Sequence, residues 1–337
     1  MKLQKLAAIL CAGMLAGTAQ ADPVADFYQG KTVTVYIGYS VGGGYDTYGR
    51  LVASHIGKHI PGEPTVVAQN MPGAGSLRLT NWLYEAAPQD GTAIGIIARA
   101  APFEPLLGNE AASFDASRFH YIGNANAEFS LCAAMADTGI ASVDDLRTTE
   151  LLVGGTGAAS DPVKQAKTAN AMLGTQMTVI DGYPGGNDIS LAMERGEVNG
   201  RCGWSWSTIK ATQWDLVQSG DVNLLFAFAS RSHPELPDVP LATELAETDE
   251  ARQILAFISA PQDMGRPFVA PPGVPEERVA ALRAAFAATM EDPEFLAAAE
   301  EASVELDWSS GEDLQEIVSN VYQTDPALIE ELNQALQ

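Results

Sequence analysis

The apolar residues of this chain come in short runs broken by glycine- and proline-rich segments. The run KTVTVYIGYS (31–40), rich in β-branched residues, predicts a buried strand. Tyr48, Leu51, Val52 and Ile56 then recur at helical spacing and predict a helix over 45–59, ended by Pro61-Gly62. TVVAQN (65–70) predicts a second strand, residues 77–86 a second helix stopped by Pro88, and TAIGIIA (92–98) a third strand. Strands alternating with helices at this spacing point to βαβ units and a parallel sheet. A second series follows. EFSLCAAMA (from 128), ELLVGGTG (150–157), QMTVIDGY (176–183), EVNGRCGW (197–204) and NLLFAFAS (223–230) read as strands, with helices over 158–173 and 187–195. After Pro234, Pro237 and Pro240, an alanine-rich helix runs from Pro275 to about Met290, opened by Glu276 and Glu277. A last helix is expected after Trp308, with Ser309-Ser310 at its N-cap. The pattern predicts two α/β units with no linker between them.

Three breaks are of one kind. Gly42-Gly43-Gly44, Gly73-Ala74-Gly75 and Gly154-Gly155-Thr156-Gly157 each stand between a strand and a helix. In open α/β sheets ligands bind beyond the carboxyl ends of the strands. Helix N-termini there present free N–H groups and the positive end of the dipole, and glycine lets a ligand come close. Three such turns point to an anion held by backbone. Three ordinary tight turns are the plain alternative.

Composition narrows the function. The 337 residues suit two domains. Against 43 Asp and Glu stand 19 Lys and Arg, a formal net charge of -24. Such a chain is not built to bind nucleic acid or an anionic membrane surface, and its acidity does nothing to steer an anion inward. The first 21 residues differ from the rest. Lys2 and Lys5 precede the apolar stretch Leu6 to Leu15, and Ala19-Gln20-Ala21 has the small-x-small form of an export cleavage site. Cleavage is expected after Ala21, giving an exported, soluble protein. Two cysteines remain, Cys132 and Cys202, and an oxidising compartment permits either a bridge or two buried thiols.

Catalytic signatures are wanting. GYSVGGG does not give G-x-G-x-x-G at the strand end, and no G-x-x-x-x-G-K-[ST] occurs. Gly203-Trp204-Ser205-Trp206-Ser207 lacks the last glycine of a nucleophile elbow, and only His233, in a proline-rich loop, follows it. His55 and His59 are four apart on a helix but have no evident third ligand, so surface histidines are expected. No catalytic set, metal site or cofactor is expected.

Taken in order, the motifs resemble one family. YSVGGGYDTYGR (39–50), VVAQNMPGAGS (66–76) and APQDGTAIGI (87–96) are similar to the N-terminal pattern of the periplasmic solute receptors of tripartite tricarboxylate transporters, the Bug receptors. GGTGAAS (154–160), YPGGNDISLAMERGEVNG (183–200), RSHPELPDVPLATEL (231–245) and VAPPGVPEERVAAL (269–282) continue the likeness over nearly all of the mature chain. The resemblance implies a periplasmic-binding-protein fold: two α/β lobes joined by a hinge, with a ligand cleft between them. Lobe 1 would be residues 22–124 plus 226–337 and lobe 2 residues 125–225. It implies a monomer that captures a small organic carboxylate and delivers it to integral membrane transporter subunits. Other readings are the ligand-binding partner of a sensor, or an exported enzyme.

Carried onto this chain, the resemblance assigns the ligand to Gly42, Gly43 and Asp46; to Gly73, Ala74 and Gly75; to Thr156, Gly157 and Ser160; and to Tyr183, Gly185 and Asp188. Three departures stand out. Pro184 occupies a position usually polar, Arg78 follows the second glycine turn, and RCGWSWS (201–207) brings in Trp204 and Trp206. Arg78 is either a clamp for a second carboxylate or a surface residue. Each tryptophan is either lobe core or a pocket wall, and Trp204 is included in the candidate site. In receptors of this kind the strand entering the second lobe lies antiparallel to a later one. That places Cys132 beside Cys202 and favours a bridge, provided the register puts both thiols on one face.

Overall fold

A computed structural model describes residues 22–336. The expected export signal, residues 1–21, lies outside the described residues. Among the described residues, eleven strands make two sheets. The first holds β1 (Thr32–Ile37), β2 (Thr65–Asn70), β3 (Ala93–Ile96), β4 (His120–Asn124), β10 (Pro267–Ala270) and β11 (Ser309–Ser310), in the order β11-β4-β10-β3-β1-β2. The second holds β5 (Ser130–Met135), β6 (Leu151–Gly154), β7 (Met177–Ile180), β8 (Gly200–Ser205) and β9 (Val222–Phe228), in the order β7-β6-β8-β5-β9. β1 pairs in parallel with β2 and β3, and β6 in parallel with β7 and β8. Antiparallel strands then extend each sheet, β10 and β4 on one and β5 and β9 on the other.

Each sheet has its own core. Val33, Val35 and Ile37 of β1 are fully buried with Tyr48, Val52 and Ile56 of the helix Gly44–Ile56, the stripe that the spacing predicted. Cys132, Leu151, Val153, Cys202, Phe226 and Phe228 form the centre of the second core. The two-lobed α/β fold expected from the sequence is present.

The division between lobes needs correction. The boundary at 225 falls inside β9, and the chain does not return there. Ile254, Leu255 and Ile258 of the helix Asp249–Ser259 are buried in the second core, as is Leu332 of the terminal helix Pro326–Leu336. The proline-rich stretch beyond that boundary is followed by an amphipathic helix whose apolar face belongs to the second sheet. Two crossings, at Ala125–Glu128 and Gln262–Arg266, run side by side, and a third follows the helix Gly311–Val321 of the first lobe and leads to the terminal helix on the second. The N–H of Ala125 donates to the Arg266 carbonyl at 3.2 Å, and that of Glu128 to the Gln262 carbonyl at 2.8 Å.

Cys132 and Cys202 are joined by a disulfide across β5 and β8. The register shifts between Leu131 and Ala133, and Gly203 adopts φ +68. Such a bulge changes which residues share a face. It leaves both cysteines in the core on one side of the sheet and Trp204 in the cluster on the other. Closing a loop of 70 residues is worth on the order of 4 kcal/mol in the chain-entropy model.

Candidate functional site

Three helices start at the gap between the sheets. Gly43 caps the helix Gly44–Ile56 of the first lobe; Ser160 and Gly185 cap the helices Asp161–Leu173 and Gly186–Glu194 of the second. None of these caps is closed by a side-chain hydrogen bond. Gly43, Gly44, Asp161, Pro162 and Gly186 all line one small cavity, so three positive dipole ends converge there. The rest of the wall is Tyr39, Tyr45, Ala98, Arg99, Thr156, Arg201, Gly203, Trp204, Ser205, Thr208 and Arg266. The free volume is about 50 Å³.

The three arginines are 2 to 4% exposed. A buried guanidinium is costly unless it is paired. Arg99, just past β3, donates from Nε to Asp161 of the opposite lobe and from Nη1 to Ser205 Oγ at 2.9 Å. Burial works against its charge, but Asp161, Tyr45 and Glu128 together outweigh that and hold it above the ordinary arginine value. Arg266, at the crossing, lies 2.8 Å from Glu128 Oε1 and donates to Thr208 Oγ1 at 2.9 Å, with its plane over the rings of Tyr45 and Tyr48. Arg201 has no acidic partner among the described residues. It donates to the Gly186 carbonyl at 2.7 Å and to Ser190 Oγ at 3.3 Å, and it lies over the Trp204 ring. Its Nε is buried without a partner, as are Trp204 Nε1 and Thr156 Oγ1 on the same wall. Burial, and then the charge of Arg99, push Arg201 down to about 9. That marks a cation lacking its counter-ion.

Arg201 and Trp204 are three apart in β8, a spacing that would set them on opposite faces of a regular strand. The bulge at Gly203 puts them together. A Cβ on Gly203 would meet Pro162 atoms at 2.6 Å, so only glycine serves here.

Of the residues assigned to the ligand from the sequence, Gly43, Thr156 and Trp204 line the cavity. Gly42 and Asp46 brace the first turn from behind. Asp46 accepts from the Gly42 N–H at 3.0 Å, Arg50 Nε at 2.9 Å and Asn70 Nδ2 at 2.8 Å. Burial raises its carboxyl, but these bonds together hold it below the usual carboxylate range. Gly185 and Asp188 meet the first lobe at Ser40, whose hydroxyl donates to Asp188 at 2.5 Å. Gly75, Gly157 and Ser160 form a seam between the lobes. The Gly75 N–H donates to the Thr156 carbonyl at 2.8 Å, and a Cβ on Gly157 would come within 2.6 Å of Gly75 N. Ala74 is exposed beside it, and Tyr183 is half-buried on the second lobe's own cluster. Arg78 is exposed, packs its stem near Gly73 and donates to the Pro72 carbonyl at 3.4 Å, outside the cavity. Trp206 is core and donates to Glu235 at 2.7 Å. His233, Glu235 and Glu305 approach one another, but both glutamates bind Lys210.

Sequence reasoning missed Arg99, Arg201, Arg266 and Asp161. A signal was there. In a chain with 19 cationic side chains, three arginines interrupt apolar or small-residue runs: IIARAA, NGRCGW and MGRPFV.

Two lobes on twin sheets, two side-by-side crossings and a cleft of helix N-termini define a hinged binding protein. The family model described as "Tripartite tricarboxylate transporter family receptor" matches residues 49–334. The chain belongs to that family, whose members are periplasmic binding proteins that work with a transporter. This is a receptor family, not an enzyme family. A "UPF0065 protein in gbd 5'region" of Cupriavidus necator is 25% identical over 98% of this chain and 95% of its own. Among solved structures, the periplasmic binding protein BugD aligns with a TM-score of 0.72 at 20% identity, over 91% of this chain and 98% of its own. MatC from Rhodopseudomonas palustris, with bound malate, aligns with 0.69 at 19% identity, over 91% and 99%.

Proposed function

We propose that this chain, cleaved after Ala21 and acting as a monomer without catalysis, closes its lobes on a small organic carboxylate. It then hands that ligand to the integral membrane subunits of its transporter. One observation carries the reading: a buried arginine, Arg201, without an acidic partner among the described residues, in a cavity where three helix N-termini converge. A carboxylate there would take bonds from Arg201, Trp204 Nε1, Thr156 Oγ1 and the N–H groups near Gly43 and Gly186. Closure excludes water and strengthens each of these bonds. The Gly73–Gly75 turn, Gly157, Ser160, Gly185 and Asp188 serve that closure, while Gly42 and Asp46 shape the first turn. MatC and a further R. palustris neighbour, solved with malate and adipate respectively, carry carboxylates in the same fold.

The test is a thermal-shift screen of carboxylates followed by calorimetry, since a ligand of the native state raises apparent stability. Binding is expected, with Arg201→Ala losing at least 100-fold, about 2.7 kcal/mol. If no carboxylate binds the native chain, the reading fails.

A further inference from the structure

The charges around the cavity balance to a single unpaired positive group. Among the residues enclosing it, the cations are Arg99, Arg201 and Arg266 and the one acid is Asp161. Asp161 binds Arg99, and Glu128, from the neighbouring crossing, binds Arg266. Both pairs are buried, and both acids accept further bonds: Asp161 from Gln262 Nε2 at 3.3 Å, Glu128 from Ser207 at 2.7 and 2.9 Å. Among the described residues, Arg201 is the one cavity cation without an acid, beside the free donors of Arg266 Nε and the three helix N-termini. The wall around it holds Tyr39, Tyr45, Ala98, Pro162 and Trp204 beside the neutral hydroxyls of Thr156, Ser205 and Thr208. Building on the carboxylate reading above, we infer that this receptor selects a monocarboxylate over a dicarboxylate or tricarboxylate.

The physical argument is desolvation. One carboxylate entering the cleft exchanges its hydration for Arg201, Trp204 Nε1, Thr156 Oγ1 and helix N–H groups, and it neutralises an uncompensated buried cation. A second carboxylate on the same molecule finds Arg99 and Arg266 already neutralised by acids of this chain. It would have to displace Asp161 or Glu128, leaving that carboxylate buried and unpaired, or lie against the aromatic wall without a counter-ion.

Matched pairs test this on the protein recovered from the periplasm. Isothermal titration at pH 7.5 compares butyrate with succinate and 2-hydroxybutyrate with malate, acids that share a carbon skeleton and differ by one carboxylate. At least one monocarboxylate is expected to bind tenfold or more tightly than its partner. Asp161→Asn, which frees Arg99, is expected to shift that ratio tenfold toward the dicarboxylate, with circular dichroism confirming the fold. A dicarboxylate that outbinds its match in the native protein overturns the inference while sustaining the carboxylate reading. So does a ratio that Asp161→Asn leaves unchanged in a folded variant. Failure of every acid to bind removes both.

Discussion

The two glycine turns of the first lobe look alike in the sequence and do different things. Gly42-Gly43-Gly44 opens a helix whose N-terminus faces the cavity and the start of the helix Gly186–Glu194. Gly73-Ala74-Gly75 faces the backbone of the opposite lobe. Its Gly75 N–H is spent on the Thr156 carbonyl, and Gly75 (φ +64) and Gly157 (φ +125) adopt conformations that side chains rarely take. Glycine in the first turn leaves room for the Thr208 and Arg266 side chains at the cavity wall, and glycine in the second leaves room for the backbone of the other lobe. A strand–glycine–helix turn therefore announces a close approach without saying what approaches.

Substitutions can break or sharpen this comparison. The largest effect is expected at the seam. A Cβ on Gly75 would sit 2.9 Å from Ser160 N, and the backbone conformation adds about 1–3 kcal/mol of strain for a branched residue. Gly75→Val should lower affinity for the tightest carboxylate at least 100-fold, about 2.7 kcal/mol. Small-angle scattering should show lobes that stay apart with ligand present. Native-like compaction on ligand addition would remove the distinction between the turns.

Gly44 comes next. A Cβ there would meet Thr208 Oγ1 at 2.2 Å and Arg266 Nη2 at 2.8 Å. Side chains yield more readily than backbone, so Gly44→Ala should cost about tenfold, or about 1.4 kcal/mol. Calorimetry showing a loss as large as that of Gly75→Val would put the first turn in the seam as well.

At Gly43 the expected effect is small. Its φ is -91 and the nearest atoms to a Cβ are 3.7 and 3.8 Å away, ordinary contact. Gly43→Ala should change affinity by less than about threefold, about 0.7 kcal/mol. A tenfold or greater loss in titration would mean that the ligand reaches the Cβ position itself.

Arg78 should matter least. Exposed and held only by the Pro72 carbonyl, it lies at the second turn but outside the cavity. Arg78→Ala should bind as the native chain does, within about twofold. A larger drop would give the second turn a ligand role after all.

The periodicity of apolar residues and the strand–glycine–helix breaks were enough to read the parallel halves of both sheets and the helix Gly44–Ile56, because each is a local signal with its own buried stripe. β4 and β10 were not read. They are short antiparallel additions that complete the first sheet from distant parts of the chain, and their residues alone give no register. The second boundary was misplaced for a similar reason: no local signal tells on which sheet β9 and the helix Asp249–Ser259 pack. The glycines of the site were legible because turns are local. The arginines were not, because their meaning lies in their partners. Arg99 and Asp161 are 62 residues apart, and Arg266 lies far along the chain from Glu128, yet both acids neutralise their arginines. Arg201 and Trp204 share a face only through the bulge at Gly203. Sequence by itself determined that backbone glycine and helix ends would be brought together at a cleft. Tertiary structure alone decided which buried charge was left without a partner, because that depends on which long-range pairs the folded chain makes first within itself.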